Sequence, residues 1–233
     1  GQVVKEEIVG LPETAKPTAP VATKPAPKKE DVAQAGGIKR ETVSASHYKN
    51  TLWMENFSTC KIIPSTVKIL RGQGECVELR GKKWLSTIRG DVVFEKTVDG
   101  FVPSKNWALE YTIYYGVKEG SHYNSVHAFI GKEGSALDIY INVRDFSDSK
   151  FSGQSVPNEA GLPKNLSGQA VNVLIKKEGE SAHLFINGIR SLTVPVDPIS
   201  LGSLPPKIVI KMHGDDIGQG KYVLITDIKL TQE

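Results

Sequence analysis

Residues 106–116 read NWALEYTIYYG, and their alternation decides the fold class. Trp107, Leu109, Tyr111, Ile113 and Tyr115 share one parity, with Ala108, Glu110, Thr112 and Tyr114 on the other. Successive side chains of a strand point to opposite faces, so this segment predicts a strand with one face in a core. Working outward, the same period recurs. Leu137, Ile139, Ile141 and Val143 alternate with Asp138, Tyr140 and Asn142, and Val171, Val173 and Ile175 form another such face. His183 to Ile186 and Ser191 to Val194 flank Asn187-Gly188, a two-residue hairpin signal because both positions tolerate positive φ. Ile208, Ile210 and Met212 follow, and then Tyr222 to Leu230, where the apolar phase slips between Ile225 and Ile228 and predicts a bulge. Upstream, Leu52 to Phe57, Val67 to Leu70, Cys76 to Leu79 and Val92 to Glu95 are weaker strand candidates. Pro and Gly recur too often for long helices, so at most a short helical turn is expected. About ten to twelve short strands with regular turn signals predict an all-β fold, two packed antiparallel sheets of jelly-roll type.

The composition changes near residue 47. Residues 1–46 contain no Phe, Trp or Tyr but hold Pro12, Pro17, Pro20, Pro25 and Pro27. Such a segment cannot bury enough apolar surface to offset its ordering entropy, so it reads as an extended Pro-rich tail with polyproline-II character. The division expected is a tail over 1–46 and a sandwich over 47–233. Val3, Val4, Ile8, Val9 and Leu11 make the tail's apolar patch, suited to docking on a partner by adding a strand to a sheet edge.

The 233 residues carry a net charge of only +3 and are 39% hydrophobic. Lys and Arg are interspersed with Asp and Glu, which argues against nucleic acid as a partner. No run approaches the roughly 18 apolar residues of a membrane-spanning helix. The chain opens on Gly and holds two Met, as expected of a processed start or the scar of a removed tag. Cys60 and Cys76 are the only cysteines. A Gly-containing turn region lies between them, and a disulfide across paired strands is expected, which would favour an oxidising compartment.

The order of signals resembles the concanavalin-A-like lectin/glucanase superfamily, including laminin-G-like modules. The residues that carry the resemblance are Glu55-Asn56-Phe57-Ser58, NWALEYTIYYG, the hairpin HLFINGIRSLTVP and the closing YVLITDIKLTQE. The Asn-Gly-x-Arg hairpin before a final Ile-x-Asp-Ile-x-Leu strand is similar to the lectin-like domain of Bacteroidetes OmpA-family envelope proteins. That resemblance covers most of residues 52–233 and implies an exported protein, in the periplasm, at the outer membrane or outside a bacterium. The sheath proteins of spirochaete periplasmic flagella are a fainter similarity.

Glycoside hydrolysis, the chemistry such folds often host, needs two carboxylates flanking the scissile bond. The strand over 136–142 offers Asp138 alone, expected to be a solvated outward residue, so no enzyme and no catalytic residue is expected. The histidines at 47, 122, 127, 183 and 213 are dispersed, with His127 pointing outward beside Phe129. Ser121-His122 reads as a turn, and no Gly-x-Ser-x-Gly elbow is present. Calcium would need oxygen-rich loops, for which His213-Gly214-Asp215-Asp216 and Asp145-Phe146-Ser147-Asp148 are the candidates, neither matching a metal-loop pattern. No cofactor is expected. Sugar binding needs exposed aromatic platforms with amide or carboxylate partners, and Tyr114, Tyr140, Tyr123, Trp84 and Asn142 make the candidate set. Two functions follow. The first is a structural or accessory subunit of an exported envelope assembly, its tail docking on partner proteins. The alternative is a carbohydrate-binding module on a flexible tether, and a glycoside hydrolase stands third.

Overall fold

A computed structural model describes residues 45–62, 64–116, 124–142, 148–157, 168–214 and 223–233, without the side chains of Ile88 and Arg89. All of these belong to the compact unit Val43–Glu233. The tail residues Val3, Val4, Ile8, Val9 and Leu11, the platform candidate Tyr123, and Asp215, Asp216, Asp145, Phe146 and Ser147 of the calcium-candidate loops lie outside the described residues.

The described residues are almost wholly β. The strands are β1 (Asn50–Glu55), β2 (Lys68–Leu79), β3 (Lys82–Thr97), β4 (Trp107–Tyr115), β5 (Asn124–Ile130), β6 (Asp138–Asn142), β7 (Lys150–Phe151), β8 (Gln154–Ser155), β9 (Ala170–Glu178), β10 (Ser181–Ile186), β11 (Ile189–Pro195), β12 (Lys207–Gly214) and β13 (Val223–Gln232). One short helix, α1 (Pro198–Gly202), is capped by Asp197, whose carboxylate accepts from the amides of Ile199 and Ser200. The strands form an antiparallel sandwich. Its first layer runs β11–β10–β9–β4–β13, extended by β1 and the beginning of β3. Its second layer is the end of β3 followed by β12–β5–β6–β7–β8.

Two packed sheets were expected; both layers are present, joined by one ladder of hydrogen bonds that runs through them. The reason is the length of β3. Its residues Leu85 and Ser86 pair with β13, while residues 90–97 pair with β12, so a single strand turns the corner. Gly90, with φ +61°, sits at the turn, where an L side chain would be strained. Likewise, the weak signals at Val67–Leu70 and Cys76–Leu79 are one strand, β2, made irregular by register shifts between Ile69 and Gly74.

The core fills the space between layers. From the first layer come Trp107, Leu109, Tyr111, Ile113, Val173, Leu184 and Ile225, and from the second Val92, Phe94, Val126, Ile139, Ile210 and Met212. Each is at most 1% exposed, and burying such a side chain contributes about 1.5–3 kcal/mol. The Asn187-Gly188 turn has φ +49° and +78°, the double left-handed geometry of a type I′ hairpin. In β13 the predicted bulge falls between Thr226 and Lys229, with Asp227 at φ +51°. Cys60 and Cys76 are joined by a disulfide, Cα to Cα 6.1 Å.

Candidate binding face

Four strands of the second layer, β3, β12, β5 and β6, lie side by side with their even-parity or odd-parity apolar residues in the core. Their other parity builds the outer face in three rows. Asp91, His213, Ser125 and Asn142 are abreast, then Val93, Lys211, His127 and Tyr140, then Glu95, Val209, Phe129 and Asp138. Each row gathers residues from four strands far apart in sequence.

The centre of this face is aromatic. The His127 ring stacks on Phe129, centroids 5.7 Å apart with 17° between planes, and tilts against Tyr140 at 4.6 Å. Phe129 is buried with Val93 and Val209 in a small apolar floor, whereas His127 and Tyr140 remain half-buried. Arg71 on β2 meets Glu133, beyond the end of β5, at 3.1 Å. Since β3 and β12 lie between their strands, this ion pair spans the outer face above that floor.

The flank is charged. Asp91 accepts from Lys211 at 3.0 Å and also contacts the ring Nδ1 of His213. Burial works to raise the Asp91 carboxyl, but the hydrogen bonds from His213 and Lys211 outweigh it and hold the group below the usual carboxylate range. Burial, with Lys211 next, pushes His127 down to about 4, so its imidazole is neutral at physiological pH. Its Nδ1 is buried with no hydrogen-bond partner among the described residues. A neutral imidazole carries one donor and one acceptor. The face therefore brings flat rings, a carboxylate, an ammonium and an imidazole together in one patch. Burial raises the Asp138 carboxyl, so Asp138 is half-buried rather than the solvated residue its position suggested.

The structure divides the sequence-derived platform set. Tyr140 and Asn142 share β6 on this face, although Asn142 is only 5% exposed. Trp84 and Tyr114 are together on the other layer, ring centroids 6.0 Å apart, and are only 4% and 7% exposed. Val77 and Leu79 of β2 pack against them, Arg80 stands over the Tyr114 ring at 5.3 Å, and the Trp84 Nε1 donates to the carbonyl of Leu79. Their outward parity is as read, but Val77 and Leu79 of the neighbouring strand β2 and the Arg80 guanidinium pack against them, which removes them as an open platform. Asp91 and Lys211 were not singled out from sequence, and His213 was considered only among the dispersed histidines and in a calcium-candidate loop. The available signal was charge at the non-core parity of β3 and β12, alternating with Val92 and Met212.

Of the calcium candidates, His213 is engaged by Asp91, and no group of three His, Cys, Asp or Glu side chains is placed to hold a metal among the described residues. No described helix is long and apolar enough to cross a membrane.

No known protein family matches the sequence, and no curated protein does. Solved structures share the fold. The binding domain of Paraclostridial Mosquitocidal Protein 1 aligns with a TM-score of 0.53 and 11% identity, over 79% of this chain and 49% of that one. The binding domain of botulinum neurotoxin serotype D aligns with a TM-score of 0.53 and 11% identity, over 82% of this chain and 49% of that one. This chain thus spans about half the length of either toxin domain. Lectin II from Ulex europaeus, at 9% identity and a TM-score of 0.48, aligns over 74% of this chain and 94% of its own. At these identities the likeness is one of fold: this chain shares a β-sandwich fold with the two toxin binding domains.

Proposed function

We propose that this chain is a non-enzymatic carbohydrate-binding module whose sugar surface is the outer face of β3, β12, β5 and β6. The observation that carries the reading is the Tyr140–His127–Phe129 ring cluster set beside the Asp91–Lys211–His213 charge network. The C–H face of a pyranose lies against Tyr140, and its hydroxyls reach His127, Asp91 and Lys211. The fold shared with toxin binding domains supports a recognition role. The Cys60–Cys76 disulfide supports an exported, oxidising setting. A broad glycan array probed with wild type and with Tyr140→Ala tests the proposal. Binding in the wild type should fall by about tenfold or more in the variant, a loss of about 1.4 kcal/mol or more. An array without hits on folded protein, or binding indifferent to Tyr140, sinks it.

A second reading, a subunit of a bacterial envelope assembly whose tail docks on partners, rests on the aromatic-free, Pro-rich composition of residues 1–46. It predicts that amide exchange in those residues slows when the native complex forms. Equal exchange with and without the complex counts against it.

A further inference from the structure

His127 holds the middle of the sugar face, in a place that makes no provision for a second proton. Lys211 of β12 lies beside it in register, and Tyr140 of β6 lies on its other side. Phe129, two residues along β5, stacks on the ring. The Nδ1 atom is buried and has no hydrogen-bond partner among the described residues. A neutral imidazole bears this at the cost of one unused donor or acceptor. An imidazolium donates from both nitrogens, and a charged donor buried without an acceptor costs far more than a neutral one.

The charges around the ring give no relief. Asp91 is engaged by Lys211 at 3.0 Å and by His213, Glu95 by Lys207 at 3.2 Å and Lys68 at 3.5 Å, and Glu133 by Arg71 at 3.1 Å. Burial raises the Asp138 carboxyl on β6, which favours its neutral form in acid. The cations stand alongside: Lys211 pairs directly with His127, and Lys150 of β7 with Tyr140. Burial first and Lys211 second hold the imidazole down at about 4, against the opposing pull of Asp91 and Glu133. To keep a proton, the ring must turn out to water. Leaving breaks both of its ring contacts, 5.7 Å to Phe129 and 4.6 Å to Tyr140. It also uncovers Phe129, which is 5% exposed in the closed stack. The flat platform against which a pyranose lies is then gone.

We propose that the sugar face is acid-releasing: proton uptake at His127 drives the imidazole out of its contacts with Phe129 and Tyr140, dismantles the ring cluster and sheds the glycan. This regulation rests on the sugar site proposed above, with the neutral imidazole as the binding form, so that glycan and proton compete. Affinity should be level above about pH 5, about half its plateau at pH 4 and about tenfold lower at pH 3. Glycans that the array retains at pH 7 are titrated by calorimetry against wild type and His127→Phe at pH 7, 5, 4 and 3. Near-ultraviolet circular dichroism confines the comparison to folded protein. His127→Phe, weaker at pH 7 for want of the imidazole's hydrogen bonds, should lack the step near pH 4, and its profile carries any titration of the glycan itself. A wild-type profile level to pH 3, or a step that survives in His127→Phe, overturns the proposal and leaves the sugar reading standing. No glycan bound at pH 7 sinks both. A second measurement needs no glycan: in nuclear magnetic resonance of the free protein, the ring protons of Phe129 and Tyr140 should shift together with those of His127 as it titrates. Titration of His127 with both neighbouring rings unmoved would likewise overturn the proposal.

Discussion

Replacing Cys60 and Cys76 together by alanine should cost the sandwich about 3 kcal/mol, and the structure says where that figure comes from. The two cysteines are separated by 16 positions and tie the turn after β1 to the middle of β2. In the chain-entropy treatment, closing a loop of this length removes about 10 cal/mol/K from the unfolded ensemble, hence about 3 kcal/mol at 25 °C. Little of the cost arises in the folded state. The Cys60 amide still donates to the carbonyl of Phe57 at 2.9 Å, and the Cys76 amide to that of Ile62 at 2.8 Å. For a domain of this size the loss corresponds to a fall in Tm of about 6–12 °C. Urea unfolding followed by tryptophan fluorescence is the assay, because Trp53, Trp84 and Trp107 are all at most 7% exposed and report the native core. The double variant and reduced wild type should lose stability equally and keep the native emission. The m-value should rise, since the uncrosslinked unfolded chain exposes more surface. A loss below about 1 kcal/mol would refute the loop-entropy account. So would a shifted native spectrum, which would place the bridge's contribution in the folded packing.

Three further outcomes follow from single residues. An unfolded imidazole takes up a proton near pH 6.5, whereas His127 does so only at about 4; unfolding therefore binds a proton between those values. Its contribution is intact above pH 6.5 and is lost as the pH falls toward 4, so Tm measured against pH should fall less steeply in His127→Phe than in wild type, and an identical slope contradicts the burial described. Gly72 has φ +81°, and a Cβ there would lie 1.7 Å from the carbonyl oxygen of Asp91. Gly72→Ala must therefore push β3 away at the residue that holds Lys211 and His213, and calorimetry should show a lower Tm alongside weaker glycan binding; loss of either alone would separate β2 from the face. In the hairpin turn, Gly188→Val forces a branched side chain to φ +78° and should cost about 1–2 kcal/mol in urea unfolding, with no change in glycan binding.

What could be read from the sequence was local, and what escaped was not. The alternation around Trp107, the double positive φ at Asn187-Gly188 and the phase slip before Ile228 are each settled within a few residues, because a strand's two faces and a turn's dihedrals depend on near neighbours. The binding face depends on register between β3, β12, β5 and β6, whose members lie as far apart as Asp91 and His213. No window of sequence brings those two together; only pairing does. Trp84 and Tyr114 make the complementary point. Parity correctly turned Tyr114 away from the main core, yet parity is silent about what packs on an outer face, and here Trp84, Val77 and Leu79 crowd the ring while Arg80 stands over it. Outward phase is thus necessary for a platform but not sufficient. The same distinction favours Tyr140: it shares the outward phase of Tyr114, but its neighbours His127, Lys211 and Asn142 are polar, and the strap between Arg71 and Glu133 spans the apolar floor rather than a packed strand. A half-buried ring among polar groups keeps more of its surface in reach of a ligand than a ring packed among aliphatic and aromatic neighbours at 7% exposure.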